Sequence, residues 1–510
     1  MTIHFFVNDP DARGAKVRKI KPHANRPANR AGFDFVDAVP QKPYDPKTEP
    51  DEFVFWQCRE AALRAVAAWE RATGKAILSW HEHQRIEVLP QVEDDDTNAY
   101  YERGAVSFSA LEIAGKFFRM AVSTDVVAHE IGHAVLDAMR PELWDSHGTE
   151  TAAFHESFGD CLAILTALQD PQTRRAVVKT RTRKNVVETW GENMAKGSKA
   201  LDPEHNASAP RRARNAFEWQ LPTTLADDGG PGELINECHS FGQIFTGCFY
   251  DAILGVFDLL EGVAERRLLR AANIVGALLG EAIENAPVVT RFFRAIGRAM
   301  VKADEAQHAS KYRAAIVAAF ERHNVVLGVG AMLTPARALP APPPPTGPKR
   351  SARPRGIPEA LRAPMPAGAV PRASRSIRLG NDVVTAVVQE REVPLDHLDT
   401  RLTGVVGRSL ETMLVGKSGD QAAVLEAVPD AQTTIEDVDG FVRSLLRHGE
   451  IDFASAPASD KKAPLESAKR SPAANRDKTR VRPNRAATHT IRVVDGQPML
   501  TRVRFLCGCR

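Results

Sequence analysis

Residues 123–144 read STDVVAHEIGHAVLDAMRPELW. Apolar residues recur at helical spacing, Ser123 or Thr124 stands where an N-cap belongs, and Pro141 marks the end. One helix is therefore expected. His129 and His133 are four residues apart, so they share a face one turn apart. Two imidazoles at that spacing can meet one zinc ion, with Zn–N near ~2.0–2.1 Å. Glu130 falls about 100° further round, beside such an ion but outside its ligand set, where a general base for the attacking water belongs. The competing reading is a core helix with two satisfied histidines.

A zinc ion in a hydrolase needs a third protein ligand and an open fourth position. Residues 150–168, ETAAFHESFGDCLAILTAL, read as a second and largely buried helix. Glu156 and Asp160 lie four apart on one of its faces. One carboxylate can bind the metal, and the other can accept the Nδ1–H of a ligand histidine and fix its tautomer. Unpaired carboxylates on so apolar a helix would be costly. His147 and His155 are rival ligands that lack a partner four residues on.

The surrounding chain has 510 residues, 43% of them hydrophobic, and a net charge of +3. That supports a large core and gives no global field for nucleic acid or an anionic membrane. Cys58, Cys161, Cys238, Cys248, Cys507 and Cys509 are sparse and form no CxxC pair, so reduced thiols are expected. The N-terminus lacks the basic-then-apolar order of a signal peptide, and no apolar run reaches the ~18 residues of a membrane span. A cytoplasmic protein is expected, unless a dedicated secretion system exports it.

Residues 1–50 are rich in Pro, Asn and basic residues and read as an arm with little structure. Residues 51–328 read as a globular unit. It opens with the helical FWQCREAALRAVAAWERATG (55–74) and the strands IEVLPQ (86–91) and GAVSFSA (104–110). Helical patterns then run to KYRAAIVAAFERHNVV (311–326). Residues 329–376 form a Pro-rich, basic linker. A small helical module is expected over 377–452, a disordered linker over 453–487, and a C-terminal β-hairpin over 488–510 that turns at Asp495-Gly496.

At this point the sequence resembles the thermolysin-like metallopeptidases, the gluzincin class, over roughly residues 55–328. Four pieces carry the resemblance in the family's order: NAYY (98–101), DVVAHEIGHAVLD (125–137), ESFGD (156–160) and HSFG (239–242). It implies an α+β fold with a reduced N-terminal β part and a mainly helical C-terminal lobe. It implies that His129, His133 and Glu156 bind one zinc per chain and that Asp160 orients His129. Glu130 would carry the proton from water to the leaving amine, and His239 would donate to the developing oxyanion. Asn98 and Ala99 would hold an extended peptide as an added strand. Phe117, Met120 and Val126 would line an apolar pocket. Of Arg211, Arg212 and Arg214, Arg214 is the favoured clamp on substrate.

The chain also departs from that pattern. Trp144 stands eleven residues after His133, where the family usually has a tyrosine. Most of the acidic residues that bind paired calcium ions in secreted relatives are missing, although Asp125 survives, so calcium is not expected. The leading expectation is a zinc endopeptidase acting on peptides or proteins, with no membrane or nucleic-acid partner. The alternatives are a catalytically weakened, zinc-containing peptide-binding module and a structural zinc protein. In the final CGC, Cys507 and Cys509 could bind metal or pair, although CxC is a weak signal.

Overall fold

The 24 residues from Pro50 to Thr73 form helix α1. Proline suits the first turn of a helix because its missing N–H has no partner there in any case. The helix stops at Gly74, whose φ of 69° allows its N–H to turn back to the Glu70 carbonyl at 2.9 Å. Buried residues run right round α1, from Phe53 to Leu63 without a break. It is a central helix, packed against α2 (Thr124–Met139), α3 (Thr149–Ala167) and α7 (Ala264–Asn285).

The computed structural model describes residues 2–36, 46–180, 185, 187–204, 211–230, 232–328, 370–379, 382–418, 421–426, 431–454 and 487–508. Most of the expected Pro-rich linker, most of the second linker, and Cys509 lie outside the described residues.

The N-terminal residues are more structured than an arm. Strand β1 (Ile3–Phe6) pairs with β2 (Val17–Ile20), and β3 (Gly32–Phe35) enters a six-stranded mixed sheet. That sheet also contains β4 (Arg85–Glu93), β5 (Ala99–Tyr101), β6 (Ala105–Ile113) and β7 (Lys116–Arg119). Alternate residues of β4, among them Ile86 and Val88, are buried, so one face of the sheet covers the core.

The rest of this unit is mainly helical. After α2 and α3 come α4 (Pro171–Lys179), the short strand β8 (Thr189–Trp190), α5 (Glu192–Leu201) and strand β9 (Arg211–Arg212), which pairs with β8. Then follow α6 (Cys238–Asp258), α7, α8 (Phe292–His308) and α9 (Arg313–Arg322). Mixed helix and sheet agree with the α+β expectation. Among the described residues, no helix is long and apolar enough to cross a membrane.

The expected helical module over 377–452 is instead built mostly of strands. β10 (Val370–Leu379), β11 (Asp382–Pro394), β12 (Val406–Ser418) and β13 (Gln421–Glu426) precede a single helix, α10 (Ala431–Arg447). Strands β14 (Ile451–Asp452), β15 (His489–Val494) and β16 (Gln497–Arg502) complete a seven-stranded sheet. The periodic apolar residues of 431–447 are helical, but the Val-rich runs before them pair as long antiparallel strands. The hairpin at the end is present. Asp495 and Gly496 have φ of 52° and 84°, as a two-residue turn with both φ positive requires. It is not a separate module, however. β16 pairs with β12, and the final strand β17 (Phe505–Leu506) crosses to β5 of the first sheet.

Candidate metal centre

Two glycines set the distance between α2 and α3. A Cβ added to Gly132 would stand 2.6 Å from the Gly159 Cα, so the helices cross almost backbone to backbone. That approach carries His129 and His133 of α2 to Glu156 of α3. One ligand atom from each of the three lies within 4.8 Å of the others. His129 Nε2 is 3.3 Å from Glu156 Oε2, and His133 Nε2 is 3.7 Å from Glu156 Oε1.

The environment suits a cation. All three side chains are buried, as is Glu130. His129 Nε2, His133 Nε2 and both Glu130 oxygens lack hydrogen-bond partners, although burying such groups unpaired is costly. Burial holds His133 neutral, well below its ordinary value, which is the form an imidazole ligand needs. Burial also pushes the Glu130 carboxyl up to about 7. These residues therefore fit a bound metal ion.

Asp160 lies behind His129. His129 Nδ1 and Asp160 Oδ1 are 3.0 Å apart, so the ring donates there and leaves Nε2 facing Glu156. Asp160 is itself held by Trp190 Nε1 at 3.1 Å and Thr246 Oγ1 at 2.9 Å.

The arginine of the site is Arg211, not Arg214. Strand β9 alternates in direction, so Arg211 turns inward and Arg212 outward. The Arg211 guanidinium meets Glu156 Oε2 at 2.9 Å and Asp160 Oδ1 at 3.4 Å. Arg214, beyond the strand and half-exposed, is 3.4 Å from Glu188.

His239 opens α6, on the far side of Glu156. Its Nε2 is 3.3 Å from Glu156 Oε2. Glu237 caps the same helix, accepting from the amides of His239 and Ser240 at 3.0 and 2.9 Å, and also contacts the ring Nδ1 of His239. Burial works against a charge on His239, but Cys238, Glu156 and Glu237 outweigh it and hold the ring well above its ordinary value. Sequence reasoning missed Glu237, although an acidic residue two before a helical histidine is a visible capping signal.

Asn98 and Ala99 do flank an extended segment, and that segment is residues 505–507 of this same chain. β17 pairs antiparallel with β5, and the Cys507 N–H donates to the Ala99 carbonyl at 2.9 Å. The Cys507 sulfur, a His129 ring nitrogen and a Glu130 oxygen lie within 4.8 Å of one another.

The expected pocket residues divide. Met120 and Val126 are buried in the main core, whereas Phe117 is 53% exposed and packs under the Arg119 guanidinium. Phe117 therefore lines no buried pocket. Trp144 does not face the ligands as a donor. Its Nε1 donates to the Arg502 carbonyl at 3.3 Å. His147 is tied to β12, accepting from the Arg408 amide at 2.7 Å. His155 packs its ring against both His133 and Phe505 and stays outside the ligand set.

A second, partly buried group was not visible in the sequence. Asp9, Asp125 and Glu192 come from three segments, and their carboxylates gather within 4.8 Å. Ser123 sits at the N-cap of α2, but its hydroxyl accepts from no helix amide and instead donates toward Asp9 Oδ2, at 2.7 Å, and the Asp125 carboxylate.

Compared with known proteins, the chain matches no family model and no curated protein.

Proposed function

We propose that this chain is a zinc-dependent endopeptidase of the thermolysin-like kind, with one zinc per chain and peptides or proteins as substrates. One observation carries the reading. Two histidines and a glutamate converge on one buried point, beside a strand that already holds an extended peptide segment. Ligand atoms ~2.0–2.1 Å from a tetrahedral zinc stand about 3.3–3.4 Å apart, and the pairs here are separated by 3.3 and 3.7 Å. Two histidines and one carboxylate with room for a water is also the pattern of catalytic rather than structural zinc.

When bound, zinc supplies Lewis acidity to the attacking water and the scissile carbonyl. The chain's own residues do the rest. Glu130 takes the proton from the attacking water and delivers it to the leaving amine, and a pKa near neutrality suits both halves of that task. His239 donates from Nε2 to the carbonyl oxygen as charge develops there. It already donates to a peptide carbonyl, that of Leu506, at 2.5 Å. Asp160 keeps His129 in its ligand tautomer. Asn98 and the Ala99 backbone hold the substrate strand. Arg211, rather than Arg214, serves the site, and it does so by holding Glu156 and Asp160 in register.

The second reading is a peptide-binding module that retains its metal. Trp144 favours it, since its N–H serves the Arg502 carbonyl rather than the reacting centre. Glu130→Gln separates the two readings. As an endopeptidase, the variant should keep its zinc and lose cleavage of a peptide with Leu or Phe after the scissile bond by about 10²–10⁴-fold. Equal turnover by variant and wild type would remove Glu130 from the mechanism.

A further inference from the structure

We propose that residues 504–508 of this chain are an inhibitor built into this site. Residues 504–508 lie in the groove as a substrate would, and the Cys507 thiolate takes the metal position that catalysis keeps for water. The proposal rests on the zinc-peptidase reading and adds its regulation.

The segment is seated by several independent contacts. Phe505 and Leu506 pair with Tyr101 and Tyr100 of β5, which would otherwise be an edge strand. The Phe505 ring lies nearly parallel to that of His133, 4.7 Å between centroids at 11°, and has the Trp144 edge and the Arg502 guanidinium against it. The Leu506 carbonyl occupies the donor side of His239 at 2.5 Å. Cys507 follows, with its amide on the Ala99 carbonyl at 2.9 Å. A Cβ at Gly508 would stand 2.8 Å from Asn98 Nδ2, so glycine lets the chain pass close by the substrate-holding asparagine.

The sulfur is also well placed to react. It sits beside Glu130, the base, and His129, one of the three ligands. His129 Nε2, His133 Nε2 and the Glu130 oxygens are buried there without partners. On ligation the S–H bond breaks, a sulfur–metal bond forms, and the proton passes to a Glu130 oxygen. One step thus fills the open position and protonates the base. Two histidines, one glutamate and one cysteine make a closed four-ligand set, which is the inactive kind. Thiolate is a soft ligand that suits zinc, so the closed state is stable until the strand leaves β5. Cys507, for which the sequence left metal binding and pairing open, gains a definite role here, and so does Gly508.

Cobalt-substituted full-length protein tests the ligation directly. A thiolate-to-cobalt charge-transfer band should appear in the near ultraviolet and vanish in Cys507→Ser, with one metal per chain in both. Peptide cleavage by the zinc form should rise at least tenfold in Cys507→Ser and in a chain ending at Val503. A full-length cobalt protein without the band would overturn the proposal. So would Cys507→Ser and the shortened chain both cleaving at the wild-type rate. A band in wild type, with no cleavage by any form, would leave Cys507 as a ligand and overturn the peptidase reading instead.

Discussion

Asp9 is buried and shares its space with Asp125 and Glu192. Three carboxylates cannot all be ionised there at low cost. Burial, then the charge of Glu192, raises the Asp9 pKa above the ordinary 3.8, and burial with Asp9 and Glu192 raises Asp125 well above it. The folded state therefore holds protons that the unfolded chain has already released. Stability is fullest below the ordinary carboxylate value and falls as pH rises from there through the raised one. A tenfold change in a carboxyl's proton affinity on folding is worth about 1.4 kcal/mol. Asp9→Asn removes one of the charges but keeps an oxygen for the Asn193 and Asp11 amides, which now donate to Asp9. In buffer free of divalent cations, its melting temperature should gain on wild type as pH rises from about 4 to 7. A constant gap across that range would show that these carboxylates do not titrate together.

At the scale of elements, the crossing of α2 and α3 decides whether the centre exists. A Cβ on Gly159 would meet His129 Nδ1 at 2.6 Å, the same nitrogen that Asp160 holds. Gly159→Ala must therefore push the ring or spread the helices, and overpacking of this kind costs about 1–3 kcal/mol. The variant should melt lower and bind zinc about 10–100-fold more weakly, read by competition with a chelator. Unchanged zinc affinity would mean that the ring has room the packing does not show. The same crossing explains which parts of the site were legible in the sequence. His129, His133, Glu156 and Asp160 fall at spacings fixed by the helix itself, so their grouping is written locally. Asn98 and Ala99 were legible only through the resemblance, and it did not show what fills the strand beside them. Arg211 and Arg214 differ only in where a two-residue strand ends, which no helical period reports. Residues 377–426 carry Gly380-Asn381 and Gly419-Asp420, two-residue hairpin signals between apolar runs that the helical expectation passed over. One of their pairing partners, β16 beside β12, lies far along the chain.

For the whole molecule, the second sheet and the helical unit are packed as one body rather than joined as beads. The Thr412 amide donates to the Val288 carbonyl at 2.7 Å, and the Val288 amide returns to Thr412 Oγ1 at 3.0 Å. The His147 amide donates to the Arg408 carbonyl at 2.8 Å. Ala152 of α3 lies in the same apolar cluster as Val393, Leu395, Val438 and Phe441. β16 then leads through Val503 and Arg504 into β17, so the sheet also delivers the strand that fills the groove. Buried apolar contact and paired backbone hold the two parts without help from the covalent chain between them. A protease site engineered between residues 340 and 350 makes this testable. After cutting, the two fragments should elute together in size-exclusion chromatography under native conditions and separate only in denaturant. The nicked cobalt protein should also keep its near-ultraviolet thiolate band, because Cys507 reaches the metal through the docked sheet. Fragments that part in native buffer would show that the interface is weaker than its contacts imply. Loss of the band on cutting would then follow, since β17 would leave β5 together with the sheet that carries it.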